Sequence, residues 1–348
     1  MKATYHKYIL DFKRPSGTSR GVMTEKETWF IVLEQDGKKG IGECGILRGL
    51  SIDDRSDYEE KLQWTCDTIH LGKDQLWEAL MEFPSIQFGV EMAFQSLESE
   101  SPFLLFSSDF TNGTKSILIN GLVWMGEESF MKQQIEEKLA QGFRCIKLKI
   151  GAIDFDKELQ LLRFIREHFT PEQVEIRVDA NGAFNENLAL DKLTQLSEFK
   201  LHSIEQPIQK NHTDSMAELC KTTPFPIALD EELIGVFTLA EKEQLLEKIK
   251  PQYIILKPSF IGGFRGTQEW ISLAEKHKIG WWITSALESN IGLNAIAQWT
   301  FLQHNLMPQG LGTGALYTNN FDCPLEVSQG QLWYKNELDW KFDFALLK

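Results

Sequence analysis

The sequence is poor in features that mark several classes of protein. Its five cysteines form no C-x-x-C pair, so we expect reduced thiols in a cytoplasmic protein and neither a disulfide framework nor a zinc site. No apolar run is long enough to cross a bilayer, and no signal-peptide-like apolar segment follows Met1. We therefore expect no membrane partner.

Positive charge is also scarce. The 36 lysines and arginines face 50 acidic residues, for a formal net charge of -14 at pH 7. Phosphate groups would be repelled, so nucleic acid is not an expected partner. A small-molecule ligand and a homo-oligomeric assembly are the partners compatible with this composition. The length of 348 residues and the 42% hydrophobic content suit a globular chain with a barrel and a smaller companion domain.

Three regions of the sequence differ in their pattern of strand-like and helix-like segments. Residues 1–115 mix strand and helix signals and are predicted to form an α+β capping domain. Within them the polar stretch Arg14–Glu27, which contains one proline and two glycines, is predicted to be a mobile active-site loop. Residues 116–320 alternate short apolar runs with amphipathic helical stretches, which favours βαβ units and a parallel sheet. Residues 321–348 are strand-like again and are expected to return to the capping domain.

Seven strand-like runs and a weaker eighth, near Gly310, predict the architecture of the middle region. The seven are Ile117–Asn120, Cys145–Ile150, Val174–Val178, Leu201–Ile204, Pro226–Leu229, Tyr253–Leu256 and Trp281–Thr284. Eight such strands fit a closed β/α barrel of a modified TIM type. An open doubly wound sheet is the competing architecture, but no G-x-G-x-x-G follows the first strand, which argues against a dinucleotide-binding version.

Ionisable residues stand at the ends of five successive predicted strands. They are Lys149, Asp179, Glu205, Asp230 and Lys257, whose residue numbers differ by 25 to 30 from one to the next. One β/α unit fills such an interval, so a closed barrel would bring all five to its C-terminal mouth, where barrel enzymes carry their active sites. Any one of them alone would be read as a helix cap or a surface charge. Five in order at one period indicate a functional site.

Three of these residues are carboxylates on neighbouring strands. Two carboxylates about 4 Å apart repel each other by roughly 4 kcal/mol at an effective dielectric near 20, so Asp179, Glu205 and Asp230 together require a cation. An all-oxygen ligand set favours Mg²⁺ or Mn²⁺ over zinc. Lys149 and Lys257 would flank the metal, and a lysine becomes a usable base when a nearby cation lowers its pKa. We therefore predict removal of a proton next to a substrate carboxylate, with a metal-stabilised enediolate.

Further side chains are expected on the same side of these strands. Residues two apart along a strand point the same way. Lys147 therefore accompanies Lys149, and Arg177 and Asn181 accompany Asp179. We predict that these three additional residues contact the substrate, although no specific role for Arg177 follows from its position.

The motifs at these positions resemble those of the enolase superfamily, in its muconate-lactonizing subgroup. They are K-L-K at 147–149, D-A-N at 179–181, E-Q-P at 205–207, D-E at 230–231 and K-P at 257–258. The resemblance covers nearly the whole chain. It implies a capping domain over the barrel mouth, Lys149 as both the base and the later proton donor, and Lys257 as a cationic stabiliser of the enediolate.

Three activities of this subgroup compete: o-succinylbenzoate synthase, dipeptide epimerase and muconate cycloisomerase. The segment Thr284–Ser289 resembles the serine-rich segment of the synthases, and Gly310–Thr313 resembles their G-L-D-T segment, with Gly312 in place of the acid. The D-x-D of the epimerases, which holds a free amino group, is absent. The resemblance thus implies the synthase reaction, a dehydration in menaquinone biosynthesis, with Thr284, Ser285 and Gly310 contacting the substrate.

Two alternatives remain at this point. A dipeptide epimerase or an N-acylamino acid racemase would use the same lysines and carboxylates. A catalytically silent, metal-binding member of the fold would need the carboxylates alone, and the lysine on each side of them speaks against it.

Overall fold

A run of consecutive apolar residues in the second strand, Trp29 to Leu33, lies at the centre of the N-terminal unit. The computed structural model describes residues 1–18 and 21–347, and this unit is an antiparallel sheet of β1 (Lys2–Thr18), β2 (Gly21–Gln35) and β3 (Lys38–Gly45). Helices α1 (Tyr58–Asp67), α2 (Gly72–Ala79) and α3 (Pro84–Glu98) follow. Trp29, Ile31 and Leu33 pack within this unit, whereas the intervening Phe30 joins the core of the following unit. The two faces of β2 therefore connect the two units.

The stretch Arg14–Glu27, predicted to be a loop, is instead largely a β-hairpin. Arg14 to Thr18 belong to β1 and Gly21 to Glu27 to β2, and residues 19 and 20 lie outside the described residues. The register of the ladder shifts between Asp11 and Ser16, so Pro15 falls where its missing N–H interrupts no regular pairing. The mobility of this segment stays a prediction.

Seven parallel strands alternate with helices in the middle of the chain. The strands are β5 (Gly121–Val123), β6 (Cys145–Lys149), β7 (Glu175–Asp179), β8 (Ser203–Glu205), β9 (Ile227–Leu229), β10 (Tyr253–Leu256) and β11 (Gly280–Ile283), and a short β4 (Ile117–Leu118) precedes them. The helices are α4 (Glu128–Ala140), α5 (Phe155–His168), α6 (Glu186–Ser197), α7 (Thr213–Thr222), α8 (Leu239–Ile249), α9 (Pro258–Ile261), α10 (Gly263–Lys276) and α11 (Asn290–Leu302). The strands pair in chain order, as in a β/α barrel.

An eighth segment closes the sheet into a barrel. Gly310 bridges Thr284 in parallel, and Gln309 bridges Ile119 in parallel. The Gly310 N–H donates to the Ile283 carbonyl at 2.8 Å, and the Asn120 N–H donates to the Gln309 carbonyl at 2.9 Å. The barrel predicted from the sequence, including its weak eighth strand, is confirmed.

The first predicted strand, Ile117–Asn120, is divided between a small antiparallel sheet and the barrel. Ile117 and Leu118 pair antiparallel with β13 (Gln331–Tyr334), which forms a hairpin with β12 (Leu325–Ser328). The ladder with β6 begins at Gly121, and Ile119 and Asn120 just before it pair with Gln309 of the closing segment. In the tail, the Phe321 ring contacts the rings of Tyr8 and Phe30.

Covering helices explain why the barrel strands are buried on both faces. All five residues of β6 are buried: Ile146 and Leu148 join the core, and Lys147 and Lys149 alternate with them. This is the pattern of a parallel strand between a helical layer and a barrel interior. The five cysteines are free. No described helix has the length and apolar character needed to span a membrane.

Candidate active site

The strand ladder places the charged strand ends at one level. Lys149 pairs with Asp179, and Asp179 pairs with Glu205, across β6, β7 and β8. Asp230 and Lys257 come directly after β9 and β10. Because parallel strands end at the same rim of a barrel, the five side chains meet at the C-terminal mouth.

Lysine ammonium groups lie between the carboxylates. Lys147 Nζ lies 2.9 Å from Asp179 Oδ2 and also contacts Glu205 Oε2. Lys257 Nζ contacts Asp230 Oδ2 and lies 3.9 Å from Glu205 Oε1. These lysines and carboxylates are almost fully buried, where unpaired charges would be costly.

Lys149 is held by two acceptors. Its Nζ donates to Asp179 Oδ2 at 3.0 Å and to Asn181 Oδ1 at 2.7 Å. Asn181 in turn donates from Nδ2 to Glu231 Oε1 at 3.0 Å. In its neutral form the amine has two N–H groups and one lone pair, so these two acceptors leave the lone pair for a third partner.

The electrostatics distinguish the three carboxylates. Burial would raise the pKa of Asp179, but the positive charges of Lys147 and Lys149 outweigh it and hold that pKa below its ordinary value. Burial would also raise the pKa of Asp230, but the positive charge of Lys257 outweighs it and holds that pKa below its ordinary value. Burial and the charge of Asp179 raise the pKa of Glu205 well above its ordinary value. Glu205 is therefore the carboxylate that gains most from an added cation.

The carboxylates in turn shift the pKa values of the lysines. Burial would lower the pKa of Lys147, but the charges of Asp179 and Glu205 raise it. The pKa of Lys257 is raised in the same way, against burial, by Asp230 and Glu205. Both side chains are therefore cations at neutral pH.

The donor atoms fit a divalent oxygen-seeking cation. Glu205 Oε1 is buried and has no hydrogen-bond partner among residues 1–18 and 21–347, and its acidic neighbours Asp179 and Asp230 offer further carboxylate oxygens. Such a set suits Mg²⁺ or Mn²⁺. The three carboxylates are spaced around the ammonium groups. A tighter group of possible metal ligands among the described side chains lies elsewhere, on α8 and just after α10. It consists of Glu243, Glu247 and His277, whose ligand atoms all lie within 4.8 Å of one another.

A cavity of about 420 Å³ lies above the lysines. The barrel contributes the predicted residues Lys147, Lys149, Asn181, Lys257, Thr284, Ser285 and Gly310 to its wall, and the capping domain contributes Val22, Met23, Leu47, Arg48 and Leu50. A β-carbon at position 310 would lie 2.5 Å from Thr284 Oγ1, so only glycine fits there. At position 312 the nearest atom would be 3.5 Å away, so Gly312 leaves room in the wall.

Arg177 is the predicted contact that the structure places elsewhere. It is not part of the cavity wall. Its Nε donates to Glu175 Oε1 at 2.7 Å, its Nη1 donates to the Pro308 carbonyl at 2.9 Å, and its guanidinium stacks 4.2 Å from the Trp282 ring centroid. The inward orientation expected from alternation is present, but Arg177 lies one layer below Asp179 and points into the packed barrel interior.

Two buried polar residues of the mouth lie in motifs that the sequence analysis identified, but were not assigned a role there. Gln206 Oε1 accepts from the backbone N–H of Asp230 at 3.2 Å, which fixes the start of the turn after β9. Glu288 is fully buried and accepts from Ser259 and Ser285. Gln206 belongs to the E-Q-P motif and Glu288 to the Thr284–Ser289 segment, so the motifs located both residues without indicating their partners.

Comparisons with known proteins agree with this geometry. The family model described as "Enolase C-terminal domain-like" matches residues 131–337, and the one described as "MenC, N-terminal domain" matches residues 1–97. An o-succinylbenzoate synthase from Desulfotalea psychrophila is 49% identical over 95% of this chain and 98% of that protein. The crystal structure of MenC from Desulfotalea psychrophila LSv54 superposes with a TM-score of 0.85 at 45% identity, covering 96% of this chain and 99% of the other.

A more distant structure shares the fold. The dipeptide epimerase from Cytophaga hutchinsonii, complexed with Mg and the dipeptide D-Ala-L-Val, superposes with a TM-score of 0.83 at 19% identity, over 100% of this chain and 99% of that one.

Proposed function

The chain belongs to the enolase superfamily, and on that premise we propose that it is an o-succinylbenzoate synthase of menaquinone biosynthesis. The reaction is the syn dehydration of 2-succinyl-6-hydroxy-2,4-cyclohexadiene-1-carboxylate to o-succinylbenzoate. The observation that carries the proposal is the placement of Lys149 and Lys257 on one cavity, each hydrogen-bonded to a different carboxylate. The 49% identity to a synthase over nearly the whole chain supports it.

Asp179, Glu205 and Asp230 would hold Mg²⁺, or Mn²⁺ in its place. The bound ion would supply positive charge next to the substrate carboxylate and stabilise the enediolate. Glu205 Oε1, which accepts no hydrogen bond from the described residues, would be available to the ion. Lys147, which contacts both Asp179 and Glu205, keeps these two carboxylates oriented towards the same place.

Lys149 removes the α-proton and later delivers it to the leaving hydroxyl. The Lys149 amine takes the α-proton, and the electrons of the C–H bond pass to the carboxylate as an enediolate. The resulting ammonium then gives that proton to the ring hydroxyl as the C–O bond breaks, so one water leaves and the ring becomes aromatic. Asp179 and Asn181, which accept both N–H groups of the neutral amine, aim its lone pair into the cavity.

Lys257 stays protonated and stabilises the enediolate. Its raised pKa, caused by Asp230 and Glu205 against the effect of burial, suits a fixed cation rather than a proton donor. The two lysines therefore have separate tasks, one moving a proton and the other holding charge.

The cavity wall favours the synthase over an epimerase. A dipeptide substrate carries a free ammonium group, which needs a counter-charge. Within the described part of the chain no aspartate or glutamate lines the cavity, and Gly312 occupies the relevant side of the wall. The five free thiols also suit the reducing cytoplasm expected from the sequence.

The test compares two substrates under identical Mg²⁺ conditions. We expect kcat/KM for the dehydration to exceed that for the epimerisation of L-Ala-L-Glu by far. A preference for a dipeptide by a factor of about ten, or roughly 1.4 kcal/mol of transition-state discrimination, would overturn the synthase assignment and leave only the superfamily.

A further inference from the structure

We propose that Thr313 accepts a hydrogen bond from the hydroxyl group of the substrate, and that the buried Glu288 fixes Thr313 in this accepting orientation. This inference rests on the proposed function, because it assigns a partner to the hydroxyl that leaves in the dehydration. Thr313 would be a specificity-determining residue, and Glu288 a positioning residue that acts through Ser285.

Glu288 sets the direction of a chain of hydroxyl groups. Its Oε1 accepts from Ser259 Oγ at 2.5 Å and its Oε2 accepts from Ser285 Oγ at 2.6 Å. The side chain is fully buried and is not part of the cavity wall. A carboxylate can only accept, so both serine hydroxyls must give their protons to it.

Ser285 has no hydrogen-bonding capacity left for a substrate. Its one proton goes to Glu288, and its oxygen accepts from the Leu287 N–H at 3.1 Å and from Thr313 Oγ1 at 2.9 Å. A hydroxyl offers one donor and two acceptor positions, and all three are in use. The Ser285 hydroxyl therefore orients Thr313 and does not itself bind the substrate.

Thr313 is left with acceptor positions only. Its proton points to Ser285, and its oxygen receives no hydrogen bond from any residue that the structure describes. The residue lines the cavity and is 7% exposed. A group that can only accept recognises a donor, and disfavours a carboxylate or a ketone at the same place.

The substrate of the proposed reaction has one such donor. Its two carboxylates and its ketone are acceptors, whereas its ring hydroxyl is a donor. A hydroxyl that gives its proton to Thr313 keeps its lone pairs free to receive the proton from Lys149, which lines the same cavity. The contact would therefore align the leaving group as well as select it.

Substitutions at Thr313 test the hydrogen bond. We expect Thr313→Val to lower kcat/KM for the dehydration about tenfold, the effect of one hydrogen bond, and Thr313→Ser to restore most of the loss. The product o-succinylbenzoate has lost the hydroxyl, so its inhibition constant should be unchanged in Thr313→Val. Thr300→Val, a buried threonine on α11 outside the cavity, is the matched control and should leave both quantities unchanged.

A double-mutant cycle tests the role of Glu288. The amide of Glu288→Gln can donate to a serine, which lets the hydroxyl chain reverse. We expect a measurable loss in kcat/KM, of up to about tenfold, in the wild-type background and no added loss in the Thr313→Val background.

Three results would overturn the inference: additive losses, a product inhibition constant that rises in parallel with the loss of activity, or no effect of Thr313→Val. If Glu288→Gln fails to fold, kcat/KM and the product inhibition constant of Thr313→Val and Thr313→Ser are sufficient to test the hydrogen bond. Absence of dehydration by the wild-type chain would instead refute the proposed function itself.

Discussion

Glu43 is the residue whose substitution should most weaken the attachment of the capping domain to the barrel. It lies on β3 and is fully buried. Its Oε1 accepts from Thr28 Oγ1 at 2.9 Å and from the Ser289 N–H at 2.9 Å. Its Oε2 accepts from Ser289 Oγ at 2.5 Å and from the Gly292 N–H at 2.9 Å. One carboxylate thus caps the start of α11 from the other domain.

The expected magnitude for Glu43→Gln follows from these four donors. Each oxygen of Glu43 accepts one hydroxyl and one backbone N–H, so either orientation of the new amide leaves a backbone N–H facing an NH₂ group. A hydroxyl can rotate to accept, but an N–H cannot. One buried unsatisfied N–H costs about 1–3 kcal/mol, and the remaining hydrogen bonds lose their charge assistance. We expect a total loss of about 3 kcal/mol in the free energy of unfolding.

Urea unfolding at neutral pH measures this difference. Thr28→Val is the matched control, because it removes one of the four donors and leaves the carboxylate satisfied by the other three, and it should cost about 1 kcal/mol. A cost below about 0.5 kcal/mol for Glu43→Gln, or a cost equal to that of Thr28→Val, would refute the reasoning.

Three further predictions concern the catalytic lysines, pH and an unpaired hydroxyl. Lys149→Ala and Lys257→Ala should both abolish turnover while retaining the fold and metal binding. Only Lys149→Ala should stop exchange of the substrate α-proton with deuterated solvent, as followed by NMR. Near wild-type turnover in Lys149→Ala would show that another group is the base. Burial raises the pKa of Asp53 from its ordinary 3.8 to about 6, so between these values the folded chain holds one more proton than the unfolded chain, and the free energy of unfolding falls as pH rises through this window. Asp53→Asn should remove that part of the slope between about pH 4 and about pH 6 in urea titrations, and an unchanged slope would contradict the assignment. Thr300 Oγ1 is buried with no hydrogen-bond partner in the described ranges 1–18 and 21–347, so Thr300→Val should raise the free energy of unfolding by about 1 kcal/mol, and a loss of stability in thermal unfolding would show that the hydroxyl has a partner.

The barrel and its charged rim were predictable because both depend on short-range patterns. An apolar run that ends in a charged residue at one β/α period determines the side chain, its strand and the rim at which it lies. Alternation also predicted correctly that Lys147 and Arg177 face inward. It could not indicate where each side chain ends. Lys147 and Arg177 are paired in register, yet Lys147 reaches Asp179 and Glu205 beside the cavity, whereas Arg177 packs on Trp282.

Partners distant in sequence explain the remaining differences. Ile117 and Leu118 look like a first barrel strand, but they form an antiparallel ladder with β13, more than 200 residues later. The Leu118 carbonyl also accepts from the Gln309 N–H of the barrel. The predicted loop has a loop-like composition, yet pairing across the hairpin makes strand of its described residues Ser16–Thr18 and Gly21–Glu27. The link between Glu43 and Ser289 joins the two domains, and no local pattern marks it. Features that depend on one β/α unit could be predicted from the sequence, whereas pairings between distant units required the structure.

The formation of o-succinylbenzoate tests the central claim most directly. Purified chain would be mixed with 2-succinyl-6-hydroxy-2,4-cyclohexadiene-1-carboxylate, and the loss of diene absorbance and the appearance of the aromatic product would be followed with Mg²⁺, with excess chelator, and after metal is restored. We expect product formation that the chelator abolishes and that Mg²⁺ or Mn²⁺ restores. Absence of product with Mg²⁺ present, or full turnover by metal-free protein, would contradict a metal-dependent dehydration at Asp179, Glu205 and Asp230.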